Sequence, residues 1–174
     1  MVEADHDEPV SSGPPLDAGR QLVKAHDYLR RELAELGELI ALVEMSVVNA
    51  GAVRSRLATL TRQQSSRVVG AHCAAYCRML AGHHTREDRV IFPHLRRADP
   101  TLAPKIDRLV TEHRTVHETI EHLDRALLAF IATPDDITAV RAAFDLLAAT
   151  LLDHLAYEES VLVEPLARFG LGTA

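Results

Sequence analysis

Residues 140–166 read VRAAFDLLAATLLDHLAYEESVLVEPL. Steps of three and four pick out Val140, Phe144, Leu147, Leu151, His154, Glu158, Val161 and Pro165. That rhythm is the inward stripe of an amphipathic helix packed in a bundle. Most of these side chains are apolar, as a core face requires. His154 and Glu158 are not, and they sit where core residues belong.

The same stripe recurs upstream. Leu22, His26, Leu29, Leu33, Leu36 and Ile40 mark a first helix. Val69, Tyr76, Leu80, His83, Glu87 and Val90 mark a second, and Ile106, Val110, His113, His117, Ile120 and Leu127 a third. The first helix starts near Asp17 and runs to the mid-40s, and Asn49-Ala50-Gly51 reads as its stop. Residues 52–63 read as a short connector helix. The second long helix runs from the high 60s to about Arg97. Asp99-Pro100 then reads as N-cap and first-turn proline of the third, which ends near Thr133. Thr133-Pro134 repeats the device, with Asp135 and Asp136 in the first turn of the fourth, where the helix dipole favours acids. That helix ends at Gly170. No segment alternates as a strand does. The expectation is an all-α fold: an up-down-up-down four-helix bundle with a short connector helix between its first two helices. Residues 16–170 form the bundle, and the acidic, proline-bearing residues 1–15 form a disordered tail.

Composition agrees and excludes some functions. Hydrophobic residues make up 47% of the 174, while aromatics are only 4%. The net charge of -6 gives no broad attraction for nucleic acid. No apolar run reaches the roughly 18 residues of a membrane span, and no signal peptide is visible. A cytoplasmic protein with no membrane partner is expected. Cys73 and Cys77, four apart, match no zinc spacing and read as small core residues.

Every helix brings an ionisable residue to the seam: His26, His83 with Glu87, His113 with His117, and His154 with Glu158. Burying one unpaired charge costs several kcal/mol, against a net stability of about 5–15 kcal/mol for a whole domain. A bound cation offsets this, because neutral imidazoles and carboxylates become its ligands. The paired residues are four apart, so both members of a pair can reach one centre. Five imidazoles and two carboxylates exceed what one zinc takes. They suit two ions with shared carboxylates and positions left for oxo, hydroxo or a small molecule. Nitrogen and oxygen ligation without thiolate favours iron, then manganese. Helical phase alone leaves His84/Asp88 as an alternative to His83/Glu87. Tyr76, two turns before His83 (about 10 Å by helix rise), is expected either as a core phenol or as a wall or ligand of the site.

The segments HDYLRREL from His26, HHTREDRVIFPHL from His83, EHRTVH ending at His117 and HLAYEESVLVEPL from His154 resemble the haemerythrin-like (HHE cation-binding) family, in its actinobacterial form. The resemblance spans about residues 17–169. It implies two iron ions, oxo- or hydroxo-bridged, that handle O₂, hydrogen peroxide or nitric oxide. It implies His26, His83, His113, His117 and His154 as ligands, with Glu87 and Glu158 as bridges. The spacing of invertebrate oxygen carriers would choose Glu159 over Glu158. Three alternative functions are expected. One is an enzyme that disproportionates peroxide or consumes nitric oxide. Another is a module for reversible O₂ binding, storage or sensing. The last is a metal-free interaction bundle.

Overall fold

A computed structural model of the chain describes residues 18–50 and 56–172, with side chains described at 18–45, 60 and 63–172. Among the described residues the secondary structure is helical throughout. The elements are α1 (Ala18–Ala50), α2 (Arg56–Arg86), a π-helical turn (Glu87–Ile91), α3 (Phe92–Ala98), a 3₁₀ turn (Pro100–Leu102), α4 (Ala103–Ala132) and α5 (Thr138–Phe169). α2, the π turn and α3 together form the second long rod. α1 packs on α2 and α5, and α4 packs on α2 and α5, which closes a ring of four. The expected bundle is therefore present. No helix among the described residues is long and apolar enough to cross a membrane.

Three expectations are corrected in detail. The connector helix is not a separate element, because α2 begins at Arg56. Residues 56–68 contain no Gly or Pro, so nothing in them stops a helix. The second rod is interrupted instead at Glu87–Ile91, where the Phe92 N–H donates to Glu87 O, five residues back. Pro93 comes immediately after. Its ring would press on the carbonyl four residues before it, and a widened turn relieves that pressure. Finally, Asp135 and Asp136 precede α5 rather than lying in its first turn. The Asp136 carboxylate accepts from Thr138 N (2.8 Å), so the helix begins at Thr138. Asp99 does cap the 3₁₀ turn, accepting from Thr101 N at 3.0 Å. The tail (1–15) and the cap at Asp17 lie outside the described residues.

In α1 and α5 the seams are buried close to the predicted pattern, whereas in the second rod His84 and Ile91 are buried in place of His83 and Val90, and in α4 Leu109 and Val116 in place of Val110 and His117. Leu22, Leu29, Leu33, Leu36 and Ile40 of α1 are buried, as are Val140, Phe144, Leu147 and Leu151 of α5. Each fully buried Leu or Ile stabilises by roughly 1.5–3 kcal/mol. Towards its end the α5 seam moves one place, from Val161 and Pro165 to Leu162 and Leu166. A helix of 3.6 residues per turn drifts in this way against a repeat of three and four. At Gly19 the α1 backbone comes so close to α5 that a Cβ would lie 2.5 Å from Val163 O, so no larger residue fits.

The apolar core is in two parts. A long cluster runs through Leu29–Val43, Val69–Leu80, Val116–Phe130 and Ile137–Leu155. A shorter one joins Ala18, Leu22, Ile91, Phe92, Leu95, Ile106, Leu109 and Leu162. His26, His84, Glu87, His113, His154 and Glu158 are buried where the two clusters meet along each helix. Cys73 belongs to the long cluster and is a free thiol, in line with a packing role.

Candidate metal centre

The ionisable layer resolves into two groups of ligand-type side chains. His84, His113 and His154 form a group of imidazoles, and His26, His83, Glu87 and Glu158 form a mixed one. Within each, one donor atom per residue lies within 4.8 Å of the others. α1 supplies His26, the second rod supplies His83, His84 and Glu87, α4 supplies His113, and α5 supplies His154 and Glu158.

The two carboxylates reach across both groups. Glu87 Oε1 lies 3.0 Å from His83 Nε2, and its Oε2 lies 3.6 Å from His113 Nε2. Glu158 Oε2 lies 3.3 Å from His26 Nε2 and 3.6 Å from His154 Nε2. None of these approaches gives Glu87 or Glu158 a hydrogen bond. Both oxygens of each, both ring nitrogens of His84, and Nε2 of His113 and His154 are buried without a hydrogen-bond partner. Buried polar atoms are nearly always paired. Eight unpaired donor-type atoms facing one interior layer fit a site for cations, whose charge would satisfy them.

The other ring nitrogens are engaged. His113 Nδ1–H donates to Asp88 Oδ1 (2.9 Å), His154 Nδ1–H to Glu112 Oε2 (3.0 Å) and His26 Nδ1–H to Glu159 Oε1 (2.9 Å). A carboxylate on Nδ1 fixes the proton there and turns Nε2 inwards as a lone-pair donor, the arrangement found behind metal-bound histidines. Two of these carboxylates are themselves held by arginines. Arg30 Nη1 is 2.8 Å from Glu159 Oε1, and Arg108 Nε is 2.7 Å from Glu112 Oε1. The Arg108 guanidinium also lies 3.5 Å over the Tyr157 ring.

The electrostatics match neutral imidazoles beside competing carboxylates. Burial holds the His83 imidazole below its ordinary pKa, with the Arg86 charge adding to it. Burial lowers His84 further, helped by the neighbouring histidines, and it lowers His113 too. Burial, then the charge of Glu158, pushes the Glu87 carboxyl well above its usual range. Burial also works against Glu158 ionising, but His26, with His154 and His83, outweighs it and holds this carboxyl low. In the metal-free protein Glu87 is thus the carboxyl that takes a proton beside an ionised Glu158.

The structure brings together His26, His83, Glu87, His113, His154 and Glu158 from the expected set. His117 joins neither group. It is half-buried, with its ring 5.6 Å from that of His84. Val116 is buried in its place, three residues after His113 rather than four. Tyr76 is also elsewhere. It is buried in the long apolar cluster, and its hydroxyl donates to Leu29 O at 3.3 Å. Burial pushes its phenol pKa up. Of the alternatives, Asp88 and Glu159 serve as partners of His113 and His26 rather than as members of a group.

His84 is the residue that the expected set lacks. It stacks on His113 with ring centroids 4.0 Å apart. The adjacent His83-His84 pair carried the signal: His84 takes the buried seam position and joins the imidazole group, and partly exposed His83 joins the mixed one. Glu112 and the two arginines were likewise missed. Glu112, Asp88 and Glu159 each stand directly beside a site residue in sequence, and that neighbouring position was the clue.

Residues 17–166 match the family described as hemerythrin HHE cation binding domain. No curated protein and no solved structure matches the chain. The family match covers the four helices that supply the ligand-type side chains and every member of both groups. The chain belongs to the hemerythrin HHE cation-binding domain family.

Proposed function

We propose that the protein holds two iron ions, one at each group, and that the loaded centre disproportionates hydrogen peroxide. The observation that carries this reading is Glu87, whose two oxygens face different groups. One carboxylate reaching two nitrogen-lined positions is what a pair of bridged ions needs. The donor set contains no thiolate, which favours iron over zinc.

Bound iron would supply the redox change. The overall reaction, 2 H₂O₂ → 2 H₂O + O₂, balances without an outside reductant: one peroxide loses two electrons and two protons, and the other gains them. The chain's own part is to hold and pass those protons. Asp88, Glu112 and Glu159 each accept an Nδ1 proton on the inner side, and their side chains remain 39%, 24% and 25% exposed. They therefore stand between the imidazoles and water, where a proton relay belongs. His84 and His113, held neutral by burial, keep lone pairs free for ligation.

The test is oxygen release when peroxide is added to iron-loaded protein. Release no faster than from the same iron free in solution removes the reading. Reversible O₂ binding is the second reading. It is favoured by the commitment of the Tyr76 hydroxyl to Leu29 and by the Phe92 ring against His113, 5.4 Å away, which makes an apolar wall. It calls instead for a visible band that disappears on deoxygenation and returns with air, with little peroxide turnover.

A further inference from the structure

His83 stands apart from the rest of the two groups in one respect. Its side chain is 15% exposed, while those of His26, Glu87, His113, His154 and Glu158 are at most 2% exposed. His83 lines a small cavity of about 50 Å³ between α1 and the second rod. His83, Glu87, Arg86, Gln21, Leu22 and Leu171 are among the residues that line it. The larger cleft beside Tyr76, about 480 Å³, contains no member of either group.

Leu171 comes from beyond the last helix. α5 ends at Phe169 and is followed by Gly170 with φ 76°, after which Leu171 reaches the cavity. Two contacts fasten this short strap to α3. His94 Nε2–H donates to Phe169 O at 2.9 Å. Gly172, again at φ 76°, lies so close to His94 that a Cβ would be 2.8 Å from its Cβ and Cγ. Only glycine meets both demands there. Between these anchors Leu171 packs on the shorter apolar cluster and lines the cavity.

We propose that this cavity is the portal through which small molecules reach the centre, and that Leu171 on its glycine-flanked strap sets the size admitted. The proposal takes its ligand class from the di-iron reading, but the geometry of the opening does not depend on it. A cavity needs about 10–15 Å³ to hold one water, so this one takes a molecule of the size of peroxide, nitric oxide or azide and excludes larger organic compounds. Arg86 in its lining adds an attraction for anions. Molecules that pass it arrive at His83 and Glu87, on the mixed group, not at the imidazole group.

The test uses the full chain in two forms. In metal-free protein, carbethoxylation of His83 by diethyl pyrocarbonate is followed by tandem mass spectrometry, with exposed His72 as the internal control. Leu171→Ala should speed His83 modification several-fold and Leu171→Trp should slow it, while His72 reacts at one rate throughout. Gly172→Ala, which displaces the strap through His94, should act like Leu171→Ala. In iron-loaded, oxidised protein, the rate at which azide develops its visible band should keep the same order, with the same final band. Equal His83 modification in wild type, Leu171→Ala and Leu171→Trp, with circular dichroism unchanged, overturns the proposal. If the modification rates keep the order but azide gives no band in any variant, the portal stands and the di-iron reading falls.

Discussion

His84, His113 and His154 make a sealed group of imidazoles, and two of them are held from behind by Asp88 and Glu112. His26, His83, Glu87 and Glu158 make a group of equal nitrogens and carboxylates, and it opens to solvent at His83. The same layer of the same bundle thus carries one closed and one accessible position. The difference originates in the second rod, which gives both groups a histidine from adjacent residues, and in α4, which gives only one. Closure and nitrogen richness suit retention of a cation, whereas openness beside carboxylates suits exchange of a ligand. The two halves are unequal by construction, and substitutions should affect them unequally.

The largest effect is expected where the halves are joined. The double substitution Glu87→Gln, Glu158→Gln removes both carboxylates that span them. Elemental analysis should find essentially no bound metal. In the metal-free state the two substitutions should oppose each other: Glu87→Gln alone should melt higher than wild type, because burial and Glu158 oppose ionisation of that carboxyl, whereas Glu158→Gln alone should melt lower, because His26, His154 and His83 hold its carboxylate ionised. A variant that keeps its metal would break the idea that these carboxylates are shared.

His84→Ala acts on the closed half alone. Metal content should fall from two ions per chain to one, while His117→Ala should leave it unchanged. The reverse result would restore the four-residue spacing on α4 and remove His84 from the centre. A smaller effect is expected one layer out. Glu112→Ala should weaken metal binding on the closed side, and Glu159→Ala on the open side, each by about 10–100-fold. Competition with a chelator would measure both, and equal loss from both halves in either variant would argue against separate support. The smallest effect is that of Tyr76→Phe. It should cost about 1 kcal/mol by denaturant unfolding, the value of one buried hydrogen bond, with no change in the visible spectrum of the loaded protein. A changed spectrum would bring the phenol back to the site.

The bundle was legible because apolar side chains recur at helical spacing over four long stretches, and Leu22–Ile40 and Val140–Leu151 needed no correction. His26, His154 and Glu158 were legible for the same reason, as polar residues inside an otherwise apolar stripe. The remainder was ambiguous for a physical cause. A stripe accepts steps of three or four, so the step after His113 could fall on Val116 or His117, and only packing against α2 and α5 decides it. In the second rod adjacent residues differ by about 100° around the axis. His84 continues the buried stripe Val69, Cys73, Tyr76, Leu80 and Glu87, and His83 lies one place off it, so sequence phase offered a choice where the structure uses both. Glu112, Asp88 and Glu159 sit at the surface by pattern. Their contacts cross between helices, from α4 to α5, from the second rod to α4 and from α5 to α1, which a single-helix periodicity does not contain.

The π turn at Glu87–Ile91 also bears on what the gene can lose. Glu87 and Leu95 are eight residues apart, and both are buried. In a regular α-helix positions eight apart differ by about 80° in direction, and positions seven apart by only about 20°. The wide turn absorbs one residue and lets Leu95 face the same core as Glu87. A deletion of one residue here, at exposed Arg89, would therefore leave the ligand-type side chains before it and the core residues after it in register. Elsewhere in the rods the same deletion would rotate everything downstream out of place. Pro93 opposes the loss, since its ring needs the widened turn. Deletion of Arg89 should be tolerated better together with Pro93→Ala than alone, which makes this segment a reservoir for length variation inside an otherwise rigid shell.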